Sequence, residues 1–190
     1  MSPKPSVITA TILLLLVATP AFAQQAVKPL PPDSEVVQKA LKGDATSQFL
    51  VGLGYEMTGE VVNFEEAAKW FRKAADQGDA NAQDVLGATY AEGLGVAQDH
   101  AEAVKWYRKA ADQGVASAQN ALGRMYANGE GVAQDYVQAH LWFNLAAARF
   151  PASRTEDRDR VVKNRDAIAA KMTPAQIAEA QRLAREWKPK

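Results

Sequence analysis

Three tryptophans, Trp70, Trp106 and Trp142, stand 36 residues apart, each inside a version of one segment. The fullest version is Val104-Lys105-Trp106-Tyr107-Arg108-Lys109-Ala110-Ala111-Asp112-Gln113-Gly114. Ala68-Lys69-Trp70-Phe71-Arg72-Lys73-Ala74-Ala75-Asp76-Gln77-Gly78 precedes it, and the looser His140-Leu141-Trp142-Phe143-Asn144-Leu145-Ala146-Ala147 follows. A fixed period of this size marks an array of small helical units, in which each unit buries its apolar side only by stacking on the next. With 190 residues, 47% of them hydrophobic, the chain is long enough for one such domain with a sizeable core.

Each copy divides into two predicted helices, A and B. Helix A of the second copy is Ala80-Asn81-Ala82-Gln83-Asp84-Val85-Leu86-Gly87-Ala88-Thr89-Tyr90. The third copy repeats it at Ala116, Ala118, Gln119, Leu122, Gly123 and Tyr126, and the first at Ala45, Gln48, Gly52 and Tyr55. Ala82, Leu86 and Tyr90 lie four residues apart, on one helix face. A glycine inside a helix costs about 1 kcal/mol relative to alanine. Its return at 52, 87 and 123 therefore predicts another helix passing too close for a Cβ. Glycine turns follow at Gly93-Leu94-Gly95 and Gly129-Glu130-Gly131, with the shorter Thr58-Gly59-Glu60 in the first copy. Helix B opens with Asn63 and Glu66, Asp99 and Glu102, or Asp135 and Gln138, the spacing of a capping box. Ala103, Trp106, Tyr107, Ala110 and Ala111 follow at i, i+3, i+4, i+7 and i+8, which predicts an inward apolar face.

The flanks do not share the period. Lys4, an apolar run from Val7 to Val17 and Ala21-Phe22-Ala23 have the order of a secretory signal peptide, residues 1–23, with cleavage before Gln24. The run is short of the roughly 20 residues a membrane span needs. A soluble exported protein, periplasmic in a two-membrane bacterium, is therefore expected. Residues 24–43 read as a proline-containing leader and a short capping helix ended by Gly43. The repeats then occupy 44–79, 80–114 and 115–148. Residues 149–190 read as a helical cap of two helices, the second opened by Thr173, Pro174 and Gln176.

The combined pattern, A-x-A-Q-x-x-L-G-x-x-Y, G-x-G-V-x-x-D and A-x-x-W-Y-x-K-A-A-x-Q-G, resembles the Sel-one-like repeat family, relatives of the tetratricopeptide repeats. The second copy, Ala80 to Gly114, fits nearly throughout. The third departs in helix B at Leu141, Asn144 and Leu145, and the first lacks the first turn glycine. The resemblance implies an all-α fold, a right-handed α-solenoid of helix-turn-helix repeats with helical caps, in proteins that usually act as adaptors. Some cysteine-rich exported relatives have been described as binding or hydrolysing β-lactams. This chain has no cysteine, so that activity does not carry over.

The search for chemistry is short. Without cysteine there are no disulfides and no thiolate ligands or nucleophiles. His100 and His140 are the only histidines, and they correspond to Phe64 and Tyr136 and to Ala68 and Val104, positions with no acid–base role. Zinc-peptidase, nucleophile-elbow and phosphate-loop patterns are absent. Gly93-x-Gly95 lacks both the third glycine and the preceding strand of a dinucleotide loop. Glu65-Glu66 sits in the first turn of a helix, where carboxylates favour the dipole. No catalytic residue, cofactor or metal is expected. Net charge is zero overall. It is uneven, with 11 Lys/Arg against 6 Asp/Glu from Arg149 onward and 10 against 16 from Gln24 to Ala148. Basic and acidic residues alternate in the cap, so nucleic acid is not the expected partner.

Comparing the copies separates scaffold from surface. Helix A positions 84, 88 and 91 match 120, 124 and 127, and also 49, 53 and 56, and the stripe varies: Asp84, Ala88 and Ala91; Asn120, Arg124 and Ala127; Phe49, Leu53 and Glu56. The shape of the array does not fix this stripe. With Phe49 and Leu53 expected under the short first helix, Asp84, Asn120, Arg124 and Asn128 are the candidate partner contacts. The reading is a monomeric, exported, non-enzymatic scaffold binding a protein or peptide, with no stable membrane anchor. A cell-envelope hydrolase and a peptidoglycan-binding module are the alternatives. Because the repeated aromatics are predicted inward, Trp106→Ala is expected to cost about 3–5 kcal/mol. Urea unfolding checks this, and a loss under about 1 kcal/mol places the ring on the surface.

Overall fold

The computed structural model describes residues 31–57 and 63–190. The expected signal peptide, the start of the leader and the turn Thr58-Gly59-Glu60 lie outside the described residues. Within them the chain forms nine helices and no strand. These are α1 (Glu35–Leu41), α2 (Ala45–Met57), α3 (Phe64–Asp76), α4 (Ala80–Glu92), α5 (His100–Asp112), α6 (Ala116–Asn128), α7 (Tyr136–Arg149), α8 (Thr155–Ala169) and α9 (Pro174–Glu186). The helices gather into two compact units dividing between Gln98 and Asp99, that is, between the A and B helices of the second repeat.

In the first unit, α2 and α3 pair as helices A and B of the first repeat, and α4 stacks on α3. The predicted close approach is present. A Cβ built on Gly52 would stand 2.6 Å from the Phe71 ring, well inside contact distance, so the glycine lets the aromatic ring lie against the helix backbone. Phe49 packs on the same ring at 5.8 Å between centroids. The step to α4 is made by two polar contacts. Gln83 Nε2 donates to the Ala75 carbonyl at 3.1 Å, and the Arg72 guanidinium donates to the Tyr90 hydroxyl. Gln48 makes the same bond to Ala40 of α1, also at 3.1 Å. The short first helix therefore takes the place of a helix B ahead of the first repeat, which is a closer relation to the array than a cap.

The second unit repeats these devices. A Cβ on Gly123 would come within 2.6 Å of Phe143. Gln119, fully buried, donates to the Ala111 carbonyl at 3.1 Å, and Arg108 donates to the Tyr126 hydroxyl. In the turn after α6, Gly129 takes the left-handed conformation at φ 75° and caps the helix through its N–H to Met125 O. Gly131 has a different reason to be glycine. A Cβ there would fall 2.2 Å from the His100 carbonyl oxygen, so the turn rests directly on the start of α5. The departures of the third copy follow from the packing of α7, which contacts α6, α8 and α9. Residues 139–143, Leu145 and Ala146 are all buried, and leucines stand where the second copy has the exposed Lys105 and Lys109. Phe143 and Ala146 of α7 and its C-cap Phe150 join Val161 and Ile168 of α8 in one apolar cluster.

Capping follows the sequence in part. Asn63, Asp99 and Asp135 accept from the backbone N–H three residues on, at 3.1, 2.9 and 3.0 Å. The downstream carboxylates face forward, Glu66 to Lys69 and Glu102 to Lys105 and the Trp106 indole N–H. The complete reciprocal box is at Thr173 and Gln176. Helix A starts are capped by Asp44 and Asp79, both at 2.8 Å, but α6 starts at Val115 with no side-chain cap. Its backbone, φ −67° and ψ 113°, nearly matches Asp79 at −60° and 116°. Val115→Asp is therefore expected to stabilise the fold by about 1 kcal/mol. A rise in the urea midpoint at unchanged slope checks it.

Candidate interaction surface

The helix A stripe must be taken residue by residue. In the first repeat Phe49 and Leu53 are buried, and the Phe49 ring packs on Phe71 of its own repeat. Asp84, expected as a partner contact, is 6% exposed and so presents no surface. The cause is local. Six consecutive residues of α4, Ala82 to Gly87, are buried, so this small-residue helix is covered on more than one side.

The second unit gives the stripe a different character. Arg124 and Asn128 of α6 are exposed and Asn120 is half-buried. Spaced four residues apart, they line one helix face at steps of about 6 Å. The Asn128 amide donates to Glu130 at 2.9 Å. Asn120 Oδ1 is buried and has no hydrogen-bond partner among the described residues. A guanidinium with amides either side suits recognition of a carboxylate and of extended backbone, since Arg pairs with carboxylates through two parallel N–H bonds.

The aromatic residues mostly go inward, as predicted. Trp106 is 4% and Trp142 2% exposed, with Phe71, Tyr107 and Phe143 also buried. Trp70 is the exception. It is half-buried, and the Lys73 ammonium lies 4.0 Å over its ring. Trp106 Nε1 donates to Glu102 at 3.0 Å. Its counterpart Trp142 Nε1 is buried without a partner among the described residues, and Arg108 lies over that ring at 4.9 Å. The polar stitches missed in the sequence, Gln83 and Gln119 to backbone and Arg72 and Arg108 to tyrosine, recur at 36-residue spacing. That recurrence is the signal that marks them.

The Nδ1 atoms of His100 and His140 are buried without a hydrogen-bond partner among the described residues. Among the described residues no group of three or more His, Asp or Glu side chains could hold a metal, and no helix is long and apolar enough to cross a membrane.

The Sel1 repeat model matches residues 45–79, 80–115 and 116–149, more than half of the sequence. The chain belongs to the Sel1 repeat family. Its repeats begin at the first residues of α2, α4 and α6. A protective antigen of uropathogenic Escherichia coli displaying an SLR fold is 37% identical over 80% of this chain, with a TM-score of 0.69. The chain spans 31% of that protein. A Sel1 repeat protein from Oxalobacter formigenes is 40% identical over 66% of this chain and 98% of its own, with a TM-score of 0.58. Helicobacter pylori cysteine-rich protein B, at 20% identity over 65% of this chain and 96% of its own, shares the fold at a TM-score of 0.51. No curated protein matches the sequence. Sel1 repeat proteins are in general scaffolds for protein–protein interaction rather than enzymes.

His140 supplies a stability test. At 4% exposure, burial holds its imidazole below the usual histidine range. The Arg165 charge adds to this and Asp166 opposes it. A lowered native pKa means that the unfolded chain takes up the proton first. Stability is therefore full above about pH 6.5 and falls as the pH drops from there to the native pKa. His140→Val, which installs the residue of the second copy, is expected to remove this share of the acid loss. Urea unfolding of both proteins at about pH 7.5 and about pH 5 measures it. Equal acid losses in the two proteins would contradict the assignment.

Proposed function

We propose that this Sel1 repeat protein is an exported scaffold that holds a protein or peptide partner on the α6 stripe of Asn120, Arg124 and Asn128. The observation that carries the reading is the contrast within one helix. The positions α6 shares with its sister copies, Ala118, Gln119, Leu122 and Gly123, are buried and spent on packing. The positions that differ present the exposed Arg124 guanidinium and Asn128 amide, with Asn120 half-buried beside them. Buried groups that recur explain the array, and exposed groups that do not recur are available for recognition. Export is supported by Leu13-Leu14-Leu15-Leu16 followed by Ala21-Phe22-Ala23. The general role of the family supports a protein partner over a small-molecule substrate.

Photo-crosslinking groups placed in cells at 120, 124 and 128 are expected to capture a common protein. The same group at Lys105, on an exposed helix B position, should not. Arg124→Glu is expected to weaken binding of the captured protein by about tenfold or more, the range of a central arginine contact. Capture equally strong from Lys105, or binding unaffected by Arg124→Glu, would move the partner off this stripe.

A further inference from the structure

Beyond the α6 stripe, the second unit carries an interaction that lies outside the repeat pattern. Helix α9 ends at Glu186, and residues 187–190 continue without regular structure. This segment runs back to the far end of α5. The backbone N–H of Lys190 donates to the Asp112 carbonyl at 2.8 Å, and its ammonium meets the Asp112 carboxylate at 3.2 Å. Three residues earlier, the Trp187 ring lies under the Arg149 guanidinium at 4.2 Å. Arg149 in turn donates to Leu145 O and lies against Gly114, 3.5 Å from where a Cβ would stand. Asp112, Gly114 and Arg149 thus form a notch that reads two features of an extended chain, an aromatic face and a lysine three residues on.

The chemistry of the notch is specific and its hold on the segment is loose. The carbonyl end of α5 carries the negative pole of the helix, and the Asp112 carboxylate adds to it, so the position attracts a cation. The Arg149 guanidinium offers a flat charged face that favours an indole ring. Pro189 keeps Lys188 extended, which lets Trp187 and Lys190 reach their two sites together. Yet Lys190 is mostly exposed and Trp187 only half-buried. A solvent-exposed ion pair of this kind contributes little, and a short segment held by so few contacts opens readily.

We infer that this notch is a docking site for an extended segment of a partner protein bearing an aromatic residue and, three residues later, a lysine, and that residues 187–190 occupy it in cis. The segment competes with the partner, so the apparent affinity is reduced by the fraction of time the notch is closed. This contact is separate from the α6 stripe and stands whether or not that stripe binds.

The test uses a fluorescein-labelled peptide of residues 185–190 as the probe and the full chain carrying Trp187→Ala with Lys190→Glu as the opened form. Fluorescence anisotropy is expected to show the peptide binding the opened form at least about tenfold more tightly than the wild type. Adding Asp112→Lys to the opened form should abolish that binding. Equal binding to wild type and opened form, no binding at about 1 mM peptide, or binding that survives Asp112→Lys each overturns the proposal. Circular dichroism melting of the opened form decides the remaining case. Unfolding would make the segment a structural part of the fold rather than a displaceable occupant, and would overturn the proposal as well.

Discussion

The ring of a helix B aromatic residue lying on a helix A glycine sets the geometry of the first and third repeat hairpins. Gly52 with Phe71 and Gly123 with Phe143 bring the two helices closer than any side chain at the glycine would permit. The cost of glycine in a helix, about 1 kcal/mol relative to alanine, is offset by burial of an entire aromatic side chain, about 1.5–3 kcal/mol by area. At this spacing only small residues fit the adjoining positions. That is why Ala74, Ala75, Ala82, Ala110, Ala111 and Ala118 are all buried. Large residues would force the helices apart and uncover the ring.

Apolar packing alone does not fix where a helix A sits on the helix before it, because alanine faces can slide. The buried glutamine supplies the missing restraint. Gln48, Gln83 and Gln119 each bond a carbonyl near the end of the preceding helix at the same 3.1 Å, and a buried amide that loses such a partner costs about 1–3 kcal/mol. A shift of one helical turn would strand it. The Arg–Tyr contacts at Tyr90 and Tyr126 add a second fixed point at the joints onto α4 and α6. Hydrogen bonds thus select the register that the apolar surface leaves open.

Much of this was legible in the sequence because repetition is its own control. The helices, the inward Trp106 and Trp142 and the close approach at Gly52 and Gly123 followed from period and spacing. The capping-box spacing overstates the bonding, since Glu66 and Glu102 have nearby Lys69 and Lys105 to pair with, and spacing does not rank competing partners. Asp84 was misplaced for a related reason. Variation between copies at 84, 120 and 49 shows that packing leaves the residue type open, but α4 buries the Asp84 carboxylate where α6 leaves Asn120 half-buried. Trp70 stands half-exposed although its segment matches that of Trp106, so identical local sequence does not guarantee identical surroundings. The contact from Lys190 to Asp112 spans 78 residues and has no periodic trace at all.

The glutamine joint has one more implication. It is made from the same residue types at every step, including the one onto α1, so nothing in it distinguishes one neighbour from another. An additional copy inserted in the array would find a ready-made seat at both ends. Duplication can therefore lengthen such a chain without new chemistry. The same anonymity exposes it to mispairing, because a helix A released from one molecule is equally suited to the helix B of another, the domain-swapping route to which repeat proteins are prone.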